Sequence, residues 1–399
     1  MINKDNFKLI IGKKELETKP LVSFNSLACD FLNELSRLLI KDKSAKKFSD
    51  IISFAFWCRE SNIKNLKKNF FDNNLRVGLG LVFHITPSNV PVNFAFSFAF
   101  GLLTGNANLI KLPSKNFPQV EIICKKIILA FKKKKFKKLK EMNCFLKYES
   151  QNSELTKEFS HKADGRMIWG GDETIKQVKK HETKSKVIDI SFGDKYSFCV
   201  INSNSINKIT KDNINLLAER FYNDTYVMDQ NACSSPHLII WLGSKKNTIQ
   251  AQKKFWPHLL NYVRAKYKLD EINIIDKYEQ LCSDAIDLDY IERFNLNENS
   301  LHRITLKKLP INSERLKGKF GYFYEFVARD INSCAKLISS KFQTLTYYGI
   351  EKKVLRNFVT NNRLKGIDRI VPIGMALDIG FIWDGYNLDK SLTRIIEIK

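Results

Sequence analysis

Residues 76–91 read Arg76-Val77-Gly78-Leu79-Gly80-Leu81-Val82-Phe83-His84-Ile85-Thr86-Pro87-Ser88-Asn89-Val90-Pro91. The run up to Ile85 is apolar enough for a buried strand, and Thr86-Pro87-Ser88-Asn89 breaks it sharply. Val92 to Leu103, opening just after Pro91, has the composition of a buried helix. The turn Thr104-Gly105-Asn106 then leads into a second strand, Asn108-Leu109-Ile110-Lys111-Leu112, which stops at Pro113-Ser114. Strand, helix, strand in this order predicts an α/β fold with a doubly wound parallel sheet. Ligands of such sheets bind beyond the carboxyl ends of the strands, and residues 86–91 and 113–115 are two such ends. No Gly-x-Gly-x-x-Gly fingerprint accompanies them.

The alternation continues outward. A lysine-rich helix over 118–140 precedes a strand at Cys144 to Tyr148, a helix over 152–161 and the strand Arg166-Met167-Ile168-Trp169. Gly170-Gly171 then precede a helix from Thr174, a place that suits a phosphate or ribose at a helix N-terminus and equally suits a tight turn. Strands follow at 186–190 and 197–201, then helices at 211–222 and 245–268 flanking the apolar run Leu238-Ile239-Ile240-Trp241. Residues 270–310 read as irregular and charged, 320–326 as strand-like, 331–341 as helix, 345–348 as strand, and 391–399 as an edge strand. Upstream, residues 1–75 read as mostly helical and amphipathic, for example 21–40 and 48–56.

With 399 residues the chain is long enough for two domains and a sizeable core, and 44% hydrophobic content is that of a globular protein. Residues 1–6 lack the basic head and apolar core of a signal segment, and the most apolar stretch, 78–103, is too broken to span a membrane. Eight cysteines stand singly with no Cys-x-x-Cys pair, which argues against a zinc cluster or disulfide framework and for a reducing, cytoplasmic setting. The net charge of +24 is carried largely by solvated lysine faces such as 125–140. It would also attract anionic ligands such as nucleotide cofactors, coenzyme A or an acidic carrier protein. No nucleic-acid-binding module accompanies it.

Asp229-Gln230-Asn231-Ala232-Cys233-Ser234-Ser235-Pro236-His237 is the stretch with chemistry in it. Free cysteines are commonly inert small hydrophobes, but Cys233 lies among small polar residues directly before a buried strand, where a substrate can approach a thiol. A thiolate there is a candidate nucleophile. His237, His84 and Glu325 are candidate proton carriers, each of a type that is more often a hydrogen-bonded structural residue in such a setting.

Taken together, residues 84–93, 105–111, 229–237 and 369–374, with Trp383-Asp384-Gly385-Tyr386, resemble the aldehyde dehydrogenase superfamily. Within it they are most similar to the LuxC family of acyl-CoA, or fatty-acid, reductases. The resemblance implies an α/β, aldehyde-dehydrogenase-like fold of two lobes: a parallel-sheet dinucleotide-binding domain over 1–190 and an α/β catalytic domain over 191–368 carrying Cys233. A C-terminal return over 369–399 would contribute a strand to a homo-oligomer. It implies Cys233 as nucleophile, Asn89 as oxyanion donor, and Thr86, Pro87, Ser88, Lys111, Ser114, Gly170, Gly171 and Gly193 around a dinucleotide. Lys111 sits one residue before the superfamily's usual lysine.

The expected reaction is NADPH-dependent reduction of an acyl-CoA or acyl-protein thioester to an aldehyde, with an acyl-protein synthetase as a possible partner. Lys115 falls where many NAD-dependent members place a carboxylate for the ribose hydroxyls, and a lysine there pairs instead with a 2′-phosphate. Acid-forming members carry a water-activating glutamate in Glu-Leu-Gly-Gly-Lys, and here the segment reads Ser191-Phe192-Gly193-Asp194-Lys195. Competing readings are a hydrolytic aldehyde dehydrogenase, a non-catalytic acyl-thioester-binding subunit of a synthetase–reductase complex, and, from charge alone, a nucleic-acid-binding protein.

Overall fold

A computed structural model describes residues 7–70 and 74–399, so the expectation about a signal segment at 1–6 lies outside the described residues. The chain divides into two compact units: residues up to Asp194 with Gly380–Lys399, and Lys195–Ile379. The division follows Asp194 rather than residue 190. The expected C-terminal piece 369–399 is shared, its first part belonging to the second unit and residues from Gly380 on to the first.

The first unit contains β1 (Lys8–Ile11), β2 (Leu75–Gly78), β3 (Leu81–Ile85), β4 (Ala107–Lys111), β5 (Asn143–Lys147), β6 (Gly165–Trp169) and β7 (Ile188–Phe192). Six of these form one sheet in the order β1-β5-β4-β3-β6-β7, parallel except for β1, a strand inside the region read as helical. The chain runs outward from β3 through β4 to β5, then returns to the other side of β3 with β6. The β3/β6 boundary is therefore the topological switch point, where sheets of this kind open a crevice at the carboxyl ends.

The single strand expected over 76–85 is two strands separated at Leu79-Gly80. Gly80 adopts φ +135, and the Asn106 side-chain oxygen accepts the N–H groups of Leu79 (2.7 Å) and Gly80 (3.2 Å). That side chain satisfies the backbone donors freed by the break, which is why two apolar runs in one line do not make one strand. Within the sheet, the His84 ring meets Ser97 Oγ (2.8 Å) and Asn108 Oδ1 (3.0 Å), and burial pushes its pKa down to about 4. His84 is a neutral member of the core.

The lysine-rich helix is also interrupted. Helix Pro118–Phe131 gives way to a 3-10 turn at Lys134–Phe136 and a short helix, Lys137–Glu141. Its apolar side, with Ile123, Ile127, Phe131, Phe136 and Leu139, is buried. Lys126 and Lys133 pair with Asp42 and Glu34 of helix Ser26–Lys41 and its C-cap.

In the second unit, β8 (Tyr196–Asn202), β9 (Pro236–Leu242), β10 (Ile291–Asn297), β11 (Leu301–Leu306), β12 (Tyr322–Ala328), β13 (Phe342–Tyr348) and β14 (Arg369–Pro372) form a sheet in the order β10-β11-β12-β9-β8-β13-β14. All neighbours are parallel except the β10–β11 hairpin. Helices Lys211–Thr225 and Lys245–Lys266 cover one face through Phe221, Phe255 and Trp256.

Residues 270–310, read as irregular, hold helix Glu271–Asp287 and the β10–β11 hairpin. No apolar stripe marks this helix, because its buried residues are Lys277 and Asp284. Lys277 Nζ donates to the carbonyls of Asn299 and Phe320 (2.9 Å each), and Asp284 accepts the hydroxyls of Tyr322 (2.6 Å) and Tyr324 (2.7 Å). Its Ile272, Ile275 and Ile286 are exposed, the reverse of an ordinary amphipathic stripe. The segment read as helix over 331–341 is a 3-10 helix, Ile331–Leu337.

Residues 380–399 return to the first unit as β15 (Ile382–Trp383), β16 (Tyr386–Asn387) and β17 (Thr393–Ile396), and β17 pairs antiparallel with β2. Beside them Asp389 accepts the Ser23 hydroxyl (2.8 Å) and faces Arg76, both members of that ion pair being buried. No helix among the described residues is long and apolar enough to cross a membrane.

Candidate active site

Cys233 sits on the loop entering β9. The approach is strained: Asp229 (φ 52) and Gln230 (φ 62) are consecutive left-handed residues, neither of them glycine. Such a conformation costs roughly 1–2 kcal/mol per residue, and the surroundings offset it. The buried Gln230 amide accepts the N–H groups of Gly321 and Tyr322 (3.2 Å each) and donates to the carbonyls of Pro236 (3.1 Å) and Tyr322 (3.0 Å). Asp229 accepts the Tyr267 hydroxyl (2.6 Å), and Ser235 Oγ donates to Asp224 O (2.8 Å). Ser197 Oγ donates to the Cys233 carbonyl (2.7 Å) while accepting the Thr344 N–H (3.1 Å). The result is a loop fixed from three neighbouring strands, β8, β12 and β13, with little freedom at Cys233.

The thiol is only partly buried, whereas Cys58, Cys124, Cys144, Cys199 and Cys334 are buried. Burial pushes the thiols of Cys124 and Cys144 up to about 12 and that of Cys334 up to about 11, values at which the thiolate is scarce. Facing Cys233 Sγ at 3.4 Å is Nε2 of Gln343, a fully buried residue at the mouth of β13. Register shifts fall at this same mouth, between Phe342 and Leu345 and between Ser197 and Phe198, and irregularities of this kind re-aim side chains at sheet ends.

The two proton-carrier candidates of this unit have other partners. His237 is buried, stacks on Tyr196 and meets Gly318 O through Nδ1 (2.9 Å). A carbonyl only accepts, so Nδ1 carries the proton. Burial, with Lys317 and Lys319 nearby, pushes the ring down to about 4, which removes a stable imidazolium partner for the thiolate. Glu325 is buried, and Oε1 accepts the indole N–H groups of Trp241 (2.8 Å) and Trp256 (2.9 Å) and the Gln252 amide (2.9 Å), while Oε2 faces Arg303 (3.4 Å). These bonds direct the carboxylate to the helix Lys245–Lys266 face of the sheet.

In the first unit, the carboxyl ends of β3, β4, β5 and β6 gather the other candidates. Thr86 Oγ1 donates to Lys111 O (2.7 Å), tying two strand ends together, and Ser88 and Asn89 beyond it are exposed. Lys111 is buried, donates to Ser150 Oγ (3.3 Å) and lies over the Tyr148 ring, and Ser150 Oγ also meets Ser114 Oγ (3.3 Å). Lys115 is exposed. Across the switch point, Gly170-Gly171 precede helix Asp172–Lys179, whose first turn carries Asp172 and Glu173. Two carboxylates in that first turn oppose an anion at the helix start and can accept hydrogen bonds from hydroxyl groups. A Cβ at Gly193 would stand 2.7 Å from Asp172 Oδ1, a side-chain tip that would have to turn aside.

A family model for acyl-CoA reductase (LuxC) matches residues 21–264, which include Asn89, Lys115 and Cys233. The chain belongs to the LuxC family. Comparison with the curated proteins finds no match. Among solved structures, an oxidoreductase from Marinobacter aquaeolei aligns with this LuxC-family chain at a TM-score of 0.62 and 12% identity, over 97% of this chain and 88% of that one. A 1-pyrroline-5-carboxylate dehydrogenase from Thermus with bound NAD aligns at 0.60 and 12% identity, over 92% and 80%. The P. syringae indole-3-acetaldehyde dehydrogenase, in complex with NAD+ and IAA, aligns at 0.59 and 14%, over 94% and 81%. The fold is that of the aldehyde dehydrogenase superfamily, and the LuxC-family chain is an oxidoreductase of aldehyde chemistry.

Several residues that shape this LuxC-family site carry no local signal. Gln343 and Ser197 reach Cys233 only through the β9-β8-β13 strand order. Asp224 is the clearest case: a buried carboxylate at the end of helix Lys211–Thr225, accepting the N–H groups of Gly374 (2.7 Å) and Ala376 (2.8 Å). Burial pushes its pKa from 3.8 up to about 7. The folded state thus holds this proton more tightly than the unfolded chain. The resulting stabilisation is full below the unfolded value and is lost as pH rises through the folded one. The Tm difference between wild type and Asp224→Asn should therefore shift against wild type between about pH 4 and pH 7. A difference that stays flat across that window would mean Asp224 is ionised throughout.

Proposed function

We propose that this LuxC-family chain reduces an acyl thioester to an aldehyde with NADPH, through an acyl group carried on Cys233. The observation that carries the reading is the thiol. Cys233 is partly accessible on an immobilised loop, beside an amide N–H donor, in a chain of the acyl-CoA reductase family. Its thiolate attacks the thioester carbonyl carbon, and a C–S bond forms as the carbonyl oxygen becomes an oxyanion. The Cys233 N–H and the Asn89 amide are assigned to that oxygen. The oxyanion collapses, the leaving thiol takes a proton, and the acyl group stays on Cys233. A nicotinamide dinucleotide, when bound, would supply the hydride for the acyl carbon; Cys233 would then leave as thiolate, its C–S bond breaking as the aldehyde C=O re-forms.

The residues fit such a cofactor. The switch-point turns 86–89 and 170–171 would flank it, Lys111 and Lys115 would offer cations to its phosphates, and Asp172 and Glu173 would accept its ribose hydroxyls. Exposed Lys115 is assigned to the 2′-phosphate. Wild type should favour NADPH over NADH in kcat/KM, and Lys115→Glu should cut that preference by about tenfold, the scale of one charge-assisted contact. Equal use of both cofactors by wild type would remove the assignment. The net charge of +24 suits an anionic acyl donor, coenzyme A or an acidic carrier protein.

Hydrolysis of the acyl-enzyme is disfavoured by what stands at the water-activating position. Ser191 is in β7, with a buried hydroxyl and no carboxylate. The Asp194 carboxylate is turned toward Gly171, whose ideal Cβ position lies 3.3 Å from Asp194 Oδ2. The test is product analysis with an acyl-CoA and reduced cofactor, then with aldehyde and oxidised cofactor, each with and without coenzyme A. Aldehyde from acyl-CoA, and a reverse reaction that needs the thiol, are expected. Rapid conversion of aldehyde to free acid without a thiol would make the chain a hydrolytic dehydrogenase. Stable acylation without turnover would make it an acyl-binding subunit.

A further inference from the structure

A thiol that must be a thiolate at neutral pH needs something to favour its charge, and neither histidine discussed above is placed as a cationic partner. His237 is neutral and bound to a backbone carbonyl, and His84 is a neutral core residue of the first unit. The group that the fold aims at Cys233 Sγ is the Gln343 amide. The orientation of that amide follows from its other end. Thr344 Oγ1 lies 3.3 Å from Gln343 Oε1 and 3.5 Å from Arg369 Nη1. A guanidinium only donates, so the Thr344 oxygen accepts from Arg369 and its O–H is turned to Gln343 Oε1. Gln343 Oε1 is then the acceptor, and the amide N–H points at Cys233 Sγ, 3.4 Å from the nitrogen.

Arg369 is itself held in place by the carbonyls of Met375 (3.2 Å), Ala376 (3.0 Å) and Asp378 (2.9 Å). The geometry points to a donor relay, Arg369 to Thr344 to Gln343, that stabilises the Cys233 thiolate without exchanging a proton with it. This rests on the reading of Cys233 as the nucleophile and adds the groups that activate it.

Each link donates in the same direction, so each polarises the next, and the relay begins at a permanent cation. An N–H aimed at sulfur favours the anion over the thiol, which lowers the thiol pKa. Thr344 and Gln343 are fully buried, so little water competes with the two links nearest the sulfur. The Arg369 link is the longest and is shared with Ala376, which makes it the weakest. The same dipeptide fixes the backbone, since the Thr344 N–H binds Ser197 Oγ, which binds the Cys233 carbonyl. Activation by an amide differs from activation by an imidazole in one measurable way. The amide does not titrate, so the rate of thiolate chemistry should follow a single rising ionisation rather than a bell.

The test uses the full chain and needs no acyl donor. Alkylation of Cys233 by iodoacetamide is followed by peptide mapping between about pH 5.5 and 10, with folding checked by circular dichroism. Wild type should give one sigmoid. In Gln343→Leu the midpoint should rise by about one pH unit, a tenfold slower reaction at neutral pH. Thr344→Val, a near-isosteric change that leaves the Gln343 amide in place, should give a smaller rise, and it serves if Gln343→Leu does not fold. Midpoints equal to wild type in the folded variants would overturn the relay, as would a bell-shaped wild-type profile. Acylation is scored separately. A raised midpoint in a protein that acyl-CoA does not acylate leaves the relay standing and removes the acyl-thioester reading alone.

Discussion

Cys233→Ala should lose acyl transfer completely. Incubated with an acyl-CoA and no cofactor, wild type should gain the mass of one acyl group, and the variant none. Turnover to aldehyde should fall to the uncatalysed level, because removing the nucleophile removes the covalent path rather than one contribution to it. The expectation is sharp because of how the other thiols are placed. Cys58, Cys124, Cys144, Cys199 and Cys334 are buried, and desolvation raises each of them. Outside Cys233 only Cys29, half-buried, and Cys282, exposed on helix Glu271–Asp287, are open to reagent. An adduct that persists in Cys233→Ala would direct the search to those two positions. Nothing in the fold of the variant should change, since the loop is held by Gln230, Ser197 and Ser235 rather than by the thiol.

Glu325→Ala should produce the largest stability change. The carboxylate satisfies two indole N–H groups, one amide and an arginine, all against the core of the second unit. Removing it leaves the two buried indole N–H groups without their acceptor and takes the carboxylate from the partly buried Arg303, which keeps Asn297 Oδ1 (3.2 Å). Breaking a buried ionic network in this way costs about 3–5 kcal/mol. Urea unfolding followed by tryptophan fluorescence suits the measurement, because Trp241 and Trp256 both touch the carboxylate. Glu325→Gln, which keeps an acceptor oxygen, should lose less. In either variant the folded fraction should react with acyl-CoA at the wild-type rate. A stable Glu325→Ala protein with impaired turnover would restore Glu325 as a proton carrier.

Much of the fold is written in runs of apolar residues. The 81–85 and 107–111 strands and the helix between them stand where the pattern puts them, because each is buried on every side and its sequence is correspondingly apolar. Cys233 was legible for a related reason: a small polar loop directly before a buried strand is unusual enough to notice. What escaped depends on groups far apart in the chain. The break at Gly80 is created by Asn106, and helix Glu271–Asp287 turns Lys277 and Asp284 inward to partners on other segments. Gln343 and Arg369 acquire meaning only once three parallel strands have set their register. Glu325 drew attention as an isolated carboxylate in an aromatic strand, and no local pattern discloses that two tryptophans and an arginine occupy it.

The pairing of β2 with β17 also has a consequence for synthesis. When a nascent chain has emerged as far as Ile379, every residue of the second unit is available, but the first still lacks its last strand. Until residues 380–399 arrive, Arg76 lacks the carboxylate of Asp389, and Asn106 lacks the Leu392 carbonyl to which its amide donates (2.9 Å). Of the two units, the one whose synthesis starts earlier is therefore completed later. Arrested chains should show a protease-resistant second unit beside a first unit that is still cleaved.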